Sequence, residues 1–215
     1  VIPVFGGIYQ ELGAQLPGLT AAVLGLSNFV SRYIIVIVVG LIAIVVLYQR
    51  WSKTPAGREI VDRTKLKLPV MGNLMQKISL SRFTRTLSTL ISGGVPMLES
   101  LKIASTTTDN VIIERQVLNA RQMVSEGKSL HDSLKQASQD QFPAMMIQMV
   151  NVGESTGTLD EMLGKLANFF DDEVDNAVSS LLSALEPLVL IFVGGIVGTL
   201  VISMYLPLFN LIQQF

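Results

Sequence analysis

The chain contains no cysteine and one histidine, His131, among its 215 residues. Without cysteine there is no disulfide framework, no thiolate nucleophile and no cysteine-based metal site, and a single histidine excludes a histidine-rich metal centre. We interpret no segment as a phosphate loop, a Gly-x-Ser-x-Gly nucleophile elbow or a His-Glu-x-x-His pair. The sequence therefore predicts a protein that is not an enzyme, with no catalytic residue, cofactor or metal.

Charge is absent from the last 28 residues, 188–215, and is segregated elsewhere. With 49% hydrophobic residues and a mean hydropathy of +0.50, the chain is too apolar for an ordinary soluble domain. Residues 51–85 hold eight Lys or Arg and two acids, whereas residues 151–182 hold one Lys and seven acids. The basic residues of 50–67 adjoin the end of an apolar run, so nucleic acid is not an expected partner.

Two segments are long and apolar enough to cross a membrane, since ~20 apolar residues span ~30 Å as a helix. Tyr33–Tyr48 predicts a transmembrane helix over 31–50, and Leu185–Leu206 predicts another over 184–207. Six Lys or Arg lie within 20 residues of the end of the first run, whereas only Arg32 precedes it, and positive charge stays inside. The predicted topology is an external (periplasmic) segment with short helices over 1–30, a cytosolic domain over 51–183 and an external tail over 208–215.

The middle of the chain is predicted to be all-α. Phe83, Leu87, Leu90 and Ile91 recur at helical spacing, and Gly93–Pro96 ends that helix. Other helix boundaries are expected at capping or breaking residues, namely Asn110, Gly127, Ser129, Pro143, Gly153, Gly157 and Thr158. We expect an all-α membrane protein in which a six-helix cytosolic bundle lies between two transmembrane helices. Its last bundle helix is continuous with the second span.

A succession of short motifs runs from the bundle into the second span. It consists of Arg82-Phe83 with Leu90, Gly93–Pro96, Asn110, Glu126–Leu130, Phe142-Pro143, Val152–Gly157 with Leu159, Glu186-Pro187 and Leu206-Pro207. In this order, with a span before and after, it resembles the inner-membrane platform proteins of type IV pilus assembly. That family is shared with the F proteins of type II secretion, and the Met204–Pro207 ending is more similar to the pilus branch.

The resemblance implies a non-enzymatic organiser in the inner membrane, with its central domain in the cytoplasm. It would contact a hexameric cytosolic ATPase and pass pilin subunits from the membrane into the fibre. Other inner-membrane assembly proteins, further copies of the chain in a homo-oligomer and membrane lipids are the remaining expected partners. The chain corresponds to about the C-terminal half of the usual family length, and its start at Val1 suggests a processed product or a fragment.

Eight residues of the predicted cytosolic domain are candidates for family motif or partner contact: Gly94, Pro96, Asn110, Gly127, Pro143, Gly153, Glu154 and Gly157. For Glu154 two interpretations stay open. In the structural one the carboxylate holds the final helix of the domain or is solvated at a helix end, and in the other it contacts the ATPase. The candidate face for ATPase contact comprises Arg82–Pro96 and Gly153–Gly157.

Five residues are candidates for coupling to the membrane: Glu186, Pro187, Gly194, Gly198 and Pro207. Pro187 has no N–H, so the carbonyl of Ser183 loses its helical partner and a functional kink is predicted. Glu186 either takes part in this coupling or is an interfacial carboxylate that reaches water. Gly194 and Gly198 are spaced for close helix packing, against the first span through Gly40, a second protomer or a pilin helix.

Three further clusters have alternative interpretations. The basic stretch 50–67 is a topology signal that contacts anionic headgroups, or it docks on an acidic ATPase surface. The acidic cluster Asp171, Asp172, Glu173 and Asp175 lacks a calcium-loop pattern, so it is a solvated face or pairs with basic residues of a partner. Met145, Met146 and Met149 fill the core or form an adaptable partner groove.

The function predicted from these features is that of a platform protein that couples a secretion ATPase to pilin incorporation. ATPase motion would turn or tilt the bundle, and the helix through Glu186-Pro187 would transmit that motion into the bilayer. One alternative is a type II secretion F protein. Another is an oligomeric transporter or channel subunit with Glu186 as its ion site, and a third is a membrane-tethered signalling adaptor.

Overall fold

The structure, a computed structural model, describes residues 18–69, 71–138 and 141–212. These residues form eight α-helices and no strand, which confirms the all-α prediction. The helices are α1 (Gly18–Ser52), α2 (Pro55–Lys67), α3 (Met71–Ser92), α4 (Met97–Thr106), α5 (Val111–Ser125), α6 (Leu130–Ala137), α7 (Ala144–Thr156) and α8 (Leu159–Ile212). The chain divides into two compact units, one of which is Trp51–Leu181; the other holds the described residues up to Arg50 and from Leu182.

The unit Trp51–Leu181, called the bundle below, is built around one apolar core. Its fully buried side chains include Phe83 and Leu87 of α3, Leu134 of α6, Met146 of α7 and Leu166 of α8. Burying each of these side chains contributes about 1.5–3 kcal/mol. The helical spacing of Phe83 and Leu87 therefore marks the core face of α3, as the sequence predicts.

The helix α2 lies in the basic stretch 50–67, for which no helix was predicted. The bundle accordingly contains six complete helices, α2 to α7, and the first part of α8 is its seventh helix rather than its sixth. The signal for α2 is local, because Thr54 accepts the N–H of Gly57 at 3.1 Å and Pro55 occupies the first helical position.

The helix boundaries predicted within the bundle match the structure with one exception. The helix α3 ends at Ser92, α5 begins after Asn110 and α8 begins after Thr158. The helix α7 continues past Gly153 and ends at Thr156, so the prediction that this helix ends near Gly153 is wrong by three residues.

The remaining unit contains the two helices that pass a length and composition test for membrane spans. The first candidate span, α1, is one helix from Gly18, so residues 18–30 are not separate short helices; residues 1–17 lie outside the described part. The second candidate span belongs to α8, which is uninterrupted through Pro187. Apolar side chains on both helices are exposed, with Ile35 at 75% and Ile191 at 76%.

Among the described residues, Gly40, Gly194 and Gly198 mediate no close packing of one helix against another. A Cβ atom built on Gly40, Gly194 or Gly198 would meet no heavy atom within 4 Å. The predicted packing of Gly194 and Gly198 against Gly40 is therefore not found, and their contacts with a second protomer or a pilin helix stay predictions.

Candidate functional site

The helices α3 and α8 run antiparallel along the bundle, which defines its two ends. Their polar contacts follow in order: Ser88 Oγ donates to the Asp160 carbonyl at 2.8 Å, Arg85 to Asn168 Oδ1 at 2.9 Å, and Lys77 Nζ to Glu173 Oε2 at 2.5 Å. The end of α3 therefore meets the start of α8, and the start of α3 meets the part of α8 that leads towards the candidate span.

One end of the bundle, called the motif end below, collects the turns α3–α4, α5–α6 and α7–α8. Ser92 Oγ donates to Asp160 Oδ2 at 3.3 Å, which joins the first of these turns to the third. Arg121 Nε donates to the Leu98 carbonyl at 2.9 Å, which joins the end of α5 to the start of α4. Six of the eight candidates from the sequence lie here: Gly94, Pro96, Gly127, Gly153, Glu154 and Gly157.

The opposite end, called the connection end below, carries the other two candidates, Asn110 and Pro143. Here Gln76 Nε2 of α3 donates to the Gln141 carbonyl just before Pro143 at 2.6 Å. The helix α2, which follows α1 in sequence, contacts the start of α5 at this end. The part of α8 that continues into the candidate span therefore leaves the bundle at this end.

Three glycines shape the turns of the motif end because each has a positive φ: Gly94 at 76°, Gly127 at 93° and Gly157 at 74°. Such angles are strained for residues with a Cβ atom. In each turn the next N–H donates to the carbonyl five residues earlier, namely Val95 to Leu90 (3.0 Å), Lys128 to Met123 (3.1 Å) and Thr158 to Gly153 (2.9 Å). These bonds satisfy carbonyls that the helix ends leave free.

Gly153 has a separate role, because it lets α7 and α8 approach each other closely. A Cβ atom on Gly153 would lie 2.9 Å from the Leu159 Cα and 3.1 Å from the Met162 Cβ. The backbone of α8 cannot yield as a flexible side chain does. The glycine is therefore required by the packing of the α7–α8 turn.

The Glu154 carboxylate binds the N-terminus of α6. One oxygen accepts the N–H of Leu130 at 2.7 Å and the other accepts the N–H of His131 at 3.0 Å, while Ser129 Oγ accepts the N–H of Asp132 at 3.0 Å. All three N–H groups of the first turn are thereby satisfied, and the negative charge complements the helix dipole. These bonds support a structural role for Glu154, at α6 and not at the final helix as predicted. Direct contact with a partner stays a prediction.

The segment Gly153–Gly157 also matches the motif Gly-x-Ser-x-Gly, although it was not predicted to be a nucleophile elbow. A nucleophile elbow needs a strand, a sharp turn and a helix. Ser155 instead lies in the last turn of α7 and donates to the carbonyl of Val152 at 3.0 Å. The pattern therefore marks the end of a helix here.

A buried carboxylate at the connection end, Asp62, was missed from the sequence. Asp62 is 4% exposed, its Oδ2 accepts the N–H of Val111 at 3.1 Å, and its Oδ1 accepts from Lys65 Nζ at 3.3 Å. Asn110 caps α5 through its own oxygen, as predicted, and donates to the Asp62 carbonyl at 3.4 Å. Asp62 thus joins α2 to α5, which spacing within α2 does not reveal.

The acidic cluster of α8 is partly neutralised within the bundle. Asp171 accepts from Ser81 and Arg85, which hold the pKa of its carboxyl below the usual value, and Glu173 pairs with Lys77. Asp172 and Asp175 are exposed. The expected pairing with a partner's basic residues therefore applies to half of the cluster at most. Among the described residues no group of three or more acids or histidines could hold a metal ion.

The methionines of α7 divide between core and surface. Met146 is fully buried and Met149 packs partly against the core, whereas Met145 is 38% exposed. Met145, Met149 and Val152, which is 48% exposed, recur at helical spacing along one side of α7. Core packing therefore applies to Met146 and partly to Met149, and a partner groove at Met145 stays a prediction.

Comparison with known proteins gives one family. Residues 83–207 match the family model of type II secretion system protein F. The chain is 39% identical to the type IV pilus assembly protein PilC of Myxococcus xanthus, 40% to that of Pseudomonas aeruginosa and 42% to that of Thermus thermophilus. Each match covers 98–99% of this chain and 50–56% of the relative, so the chain spans about half the length of these relatives. Type II secretion system F proteins match at 32–35% identity.

Proposed function

This chain belongs to the type II secretion system protein F family, and from this premise we propose that it is part of the inner-membrane platform of type IV pilus assembly. The platform couples a cytosolic hexameric ATPase to the incorporation of pilin subunits. The observation that carries the proposal is the 39–42% identity to three pilus assembly proteins over nearly the whole chain.

In this proposal α1 and the C-terminal part of α8 cross the inner membrane, and the bundle is cytoplasmic. Their length and apolar composition support the crossing. The basic residues that follow α1 support the orientation, since positive charge is retained in the cytoplasm.

The motif end of the bundle is the proposed ATPase contact. The helix α8 leaves the bundle for its candidate span at the other end, so a bundle anchored through α8 presents the motif end to soluble partners. The predicted contact segments Arg82–Pro96 and Gly153–Gly157 support this assignment, because the bonds of Asp160 to Ser88 and Ser92 bring them together. Glu154 and the three turn glycines position these loops, while exposed side chains between them make the contact.

Coupling to the membrane proceeds through α8 in this proposal. The helix runs without a break from Leu159 at the motif end past Glu186 and Pro187. A helix of this kind transmits rotation or axial displacement, because its backbone hydrogen bonds resist local change. Glu186 and Pro187 are the proposed transmission point at the start of the span, Gly194 and Gly198 its packing surface, and Pro207 its external lip.

Co-purification of the full chain in detergent with the cognate pilus ATPase tests the proposal. The test variant Glu99→Lys/Glu126→Lys reverses two exposed charges in the first turn of α4 and at the end of α5. The matched control Asp172→Lys/Asp175→Lys reverses two exposed acids of α8 away from the motif end. Loss of binding in the test variant alone is expected; equal binding by both variants contradicts the assignment of the motif end.

A second candidate function is that of a type II secretion F protein, which the 32–35% identities favour. The same co-purification with a secretion ATPase in place of the pilus ATPase discriminates the two. Preferential binding of the secretion ATPase would replace the pilus proposal.

A further inference from the structure

The helix α2 turns its two acids towards the bundle. Asp62 is buried against the start of α5, and Glu59 binds Arg115 of α5 with two bonds of 3.0 and 3.2 Å. The hydrogen bonds from Arg115 hold the pKa of Glu59 below its usual value, so this carboxylate stays ionised. The negative charge of α2 is therefore directed inward.

The basic side chains of this segment remain exposed. Five cations against two acids give residues 53–67 a net charge of +3; the cations are Lys53, Arg58, Arg63, Lys65 and Lys67. Three of these cations lie 3.3–3.9 Å from Glu59 or Asp62 and are half-exposed or more, so these pairs neutralise little. Lys53 and Lys67 have no acidic partner among the described residues.

Large exposed apolar side chains lie among these cations or next to them in the sequence. Ile60 is 53% exposed, Leu68 48% and Trp51 46%. Ile60, Arg63 and Lys67 share one side of α2 by their spacing of three and four residues; this side is called the basic face below. A helix face that combines cations with exposed apolar residues is typical of the interface of anionic membranes.

A tight turn keeps α2 close to the end of α1. Thr54 N–H donates to the Trp51 carbonyl at 3.0 Å and Thr54 Oγ1 donates to it at 2.7 Å. A Cβ atom on Gly57 would lie 2.0 Å from that carbonyl, so the turn admits only glycine there. Since α2 begins three residues after α1 ends, the two helix ends lie within about 10 Å.

We propose that the basic face of α2 lies on an anionic phospholipid surface and binds its headgroups, with Ile60 and Leu68 inserted beside the acyl chains. The proposal rests on the proposed membrane crossing of α1. Charge complementarity alone would also fit an acidic protein. Two observations favour an anionic lipid surface over an acidic protein as the partner. Exposed apolar residues lie among or beside the cations, and a short turn connects α2 to the apolar helix α1.

Single-cysteine variants test this directly, because the chain has no cysteine of its own. Spin labels are placed at Ile60→Cys, at Ile103→Cys as a control of similar chemistry on α4, and at Leu41→Cys within α1. The full chain is reconstituted in nanodiscs of phosphatidylcholine with and without phosphatidylglycerol. Collision with oxygen reports contact with lipid, and collision with a nickel chelate reports contact with water.

The label at residue 60 is expected to contact lipid only when phosphatidylglycerol is present, and the label at residue 103 to stay in water. Each cation near an anionic surface raises the equilibrium constant for surface contact about fivefold. The variant Lys53→Gln/Arg63→Gln/Lys67→Gln should therefore lower the equilibrium constant for lipid contact at residue 60 about 100-fold. The matched variant Lys102→Gln/Lys128→Gln/Lys135→Gln should leave it unchanged.

Water contact at residue 60 in both lipid mixtures, while residue 41 contacts lipid, overturns the proposal. Protection of residue 60 only on addition of a soluble acidic protein also overturns it, in favour of protein docking. Water contact at residue 41 would instead refute the membrane crossing of α1, so the two failures are distinguishable.

Discussion

Replacing Glu154 by alanine removes two acceptors from the first turn of α6, a helix of eight residues. Each hydrogen bond contributes about 1 kcal/mol net, and the charge at the helix N-terminus adds about 0.5 kcal/mol. Water replaces part of this because Glu154 is exposed. We therefore expect α6 to lose about 2 kcal/mol, and Glu154→Gln, which keeps one acceptor, to lose about 1 kcal/mol.

Hydrogen exchange of the full chain in detergent, followed by mass spectrometry, measures this loss locally. A 2 kcal/mol loss in the free energy of opening corresponds to about 30-fold faster exchange of the α6 amides. Ser155→Ala is the matched control, since Ser155 bonds only to the Val152 carbonyl of its own helix among the described residues. Its α6 exchange should equal that of the unchanged chain.

The outcome also separates the two interpretations of Glu154. If Glu154 is a cap, its removal accelerates exchange in α6. Its removal then weakens ATPase binding only to the extent that α6 and the motif end are disturbed. Unchanged exchange in α6 together with complete loss of ATPase binding by Glu154→Gln would refute the capping argument and identify Glu154 as a contact residue.

Three further predictions concern stability, read from thermal or denaturant unfolding of the full chain. Gly153→Ala should destabilise the fold by about 1–3 kcal/mol because its Cβ would press on the Leu159 backbone. The control Gly164→Ala, whose Cβ meets Ser88 Oγ at 3.4 Å, should be neutral or stabilising. Equal effects of the two substitutions would refute the packing role of Gly153. Asp62→Asn should cost about 1–3 kcal/mol, since the buried junction loses its charge-assisted bonds; an unchanged melting temperature would contradict this. The pKa of Asp171 is lowered in the folded state, so its ionised carboxylate stabilises the fold above pH ~4, and this stabilisation is lost as pH falls through the folded-state pKa. In Asp171→Asn the free energy of unfolding should therefore fall less steeply as the pH is lowered.

Local signals in the sequence predicted most helix ends correctly. Gly94, Gly127 and Gly157 end helices by adopting positive φ, and Asn110 caps α5 through bonds to the next residues. These interactions span five residues or fewer, so the residues that make them are adjacent in the sequence. The succession of short motifs also indicated the family, and the family-model match to residues 83–207 confirms that prediction.

The helix α2 shows where such signals failed. Its composition is charged, and only Gly57 and Asp62 are buried. Its sequence therefore lacks the apolar stripe that would indicate a packed helix. It is held by Leu66, which packs against the core, and by the docking of Asp62 and Glu59 on α5, about 50 residues later in the chain. The basic face results from this docking. Because Glu59 and Asp62 face α5, the exposed side of α2 carries the Lys and Arg side chains without these two acids.

The sequence by itself determined the all-α class, the positions of the two apolar segments and the glycine turns, since each depends on composition or on neighbours within a few residues. Only the tertiary structure decided that Glu154 caps α6, that Gly153 admits the backbone of α8, and that six motif residues meet at one end of the bundle. These facts depend on residues that are distant in sequence and are brought together by burial of the shared core, which periodicity within a single helix does not encode.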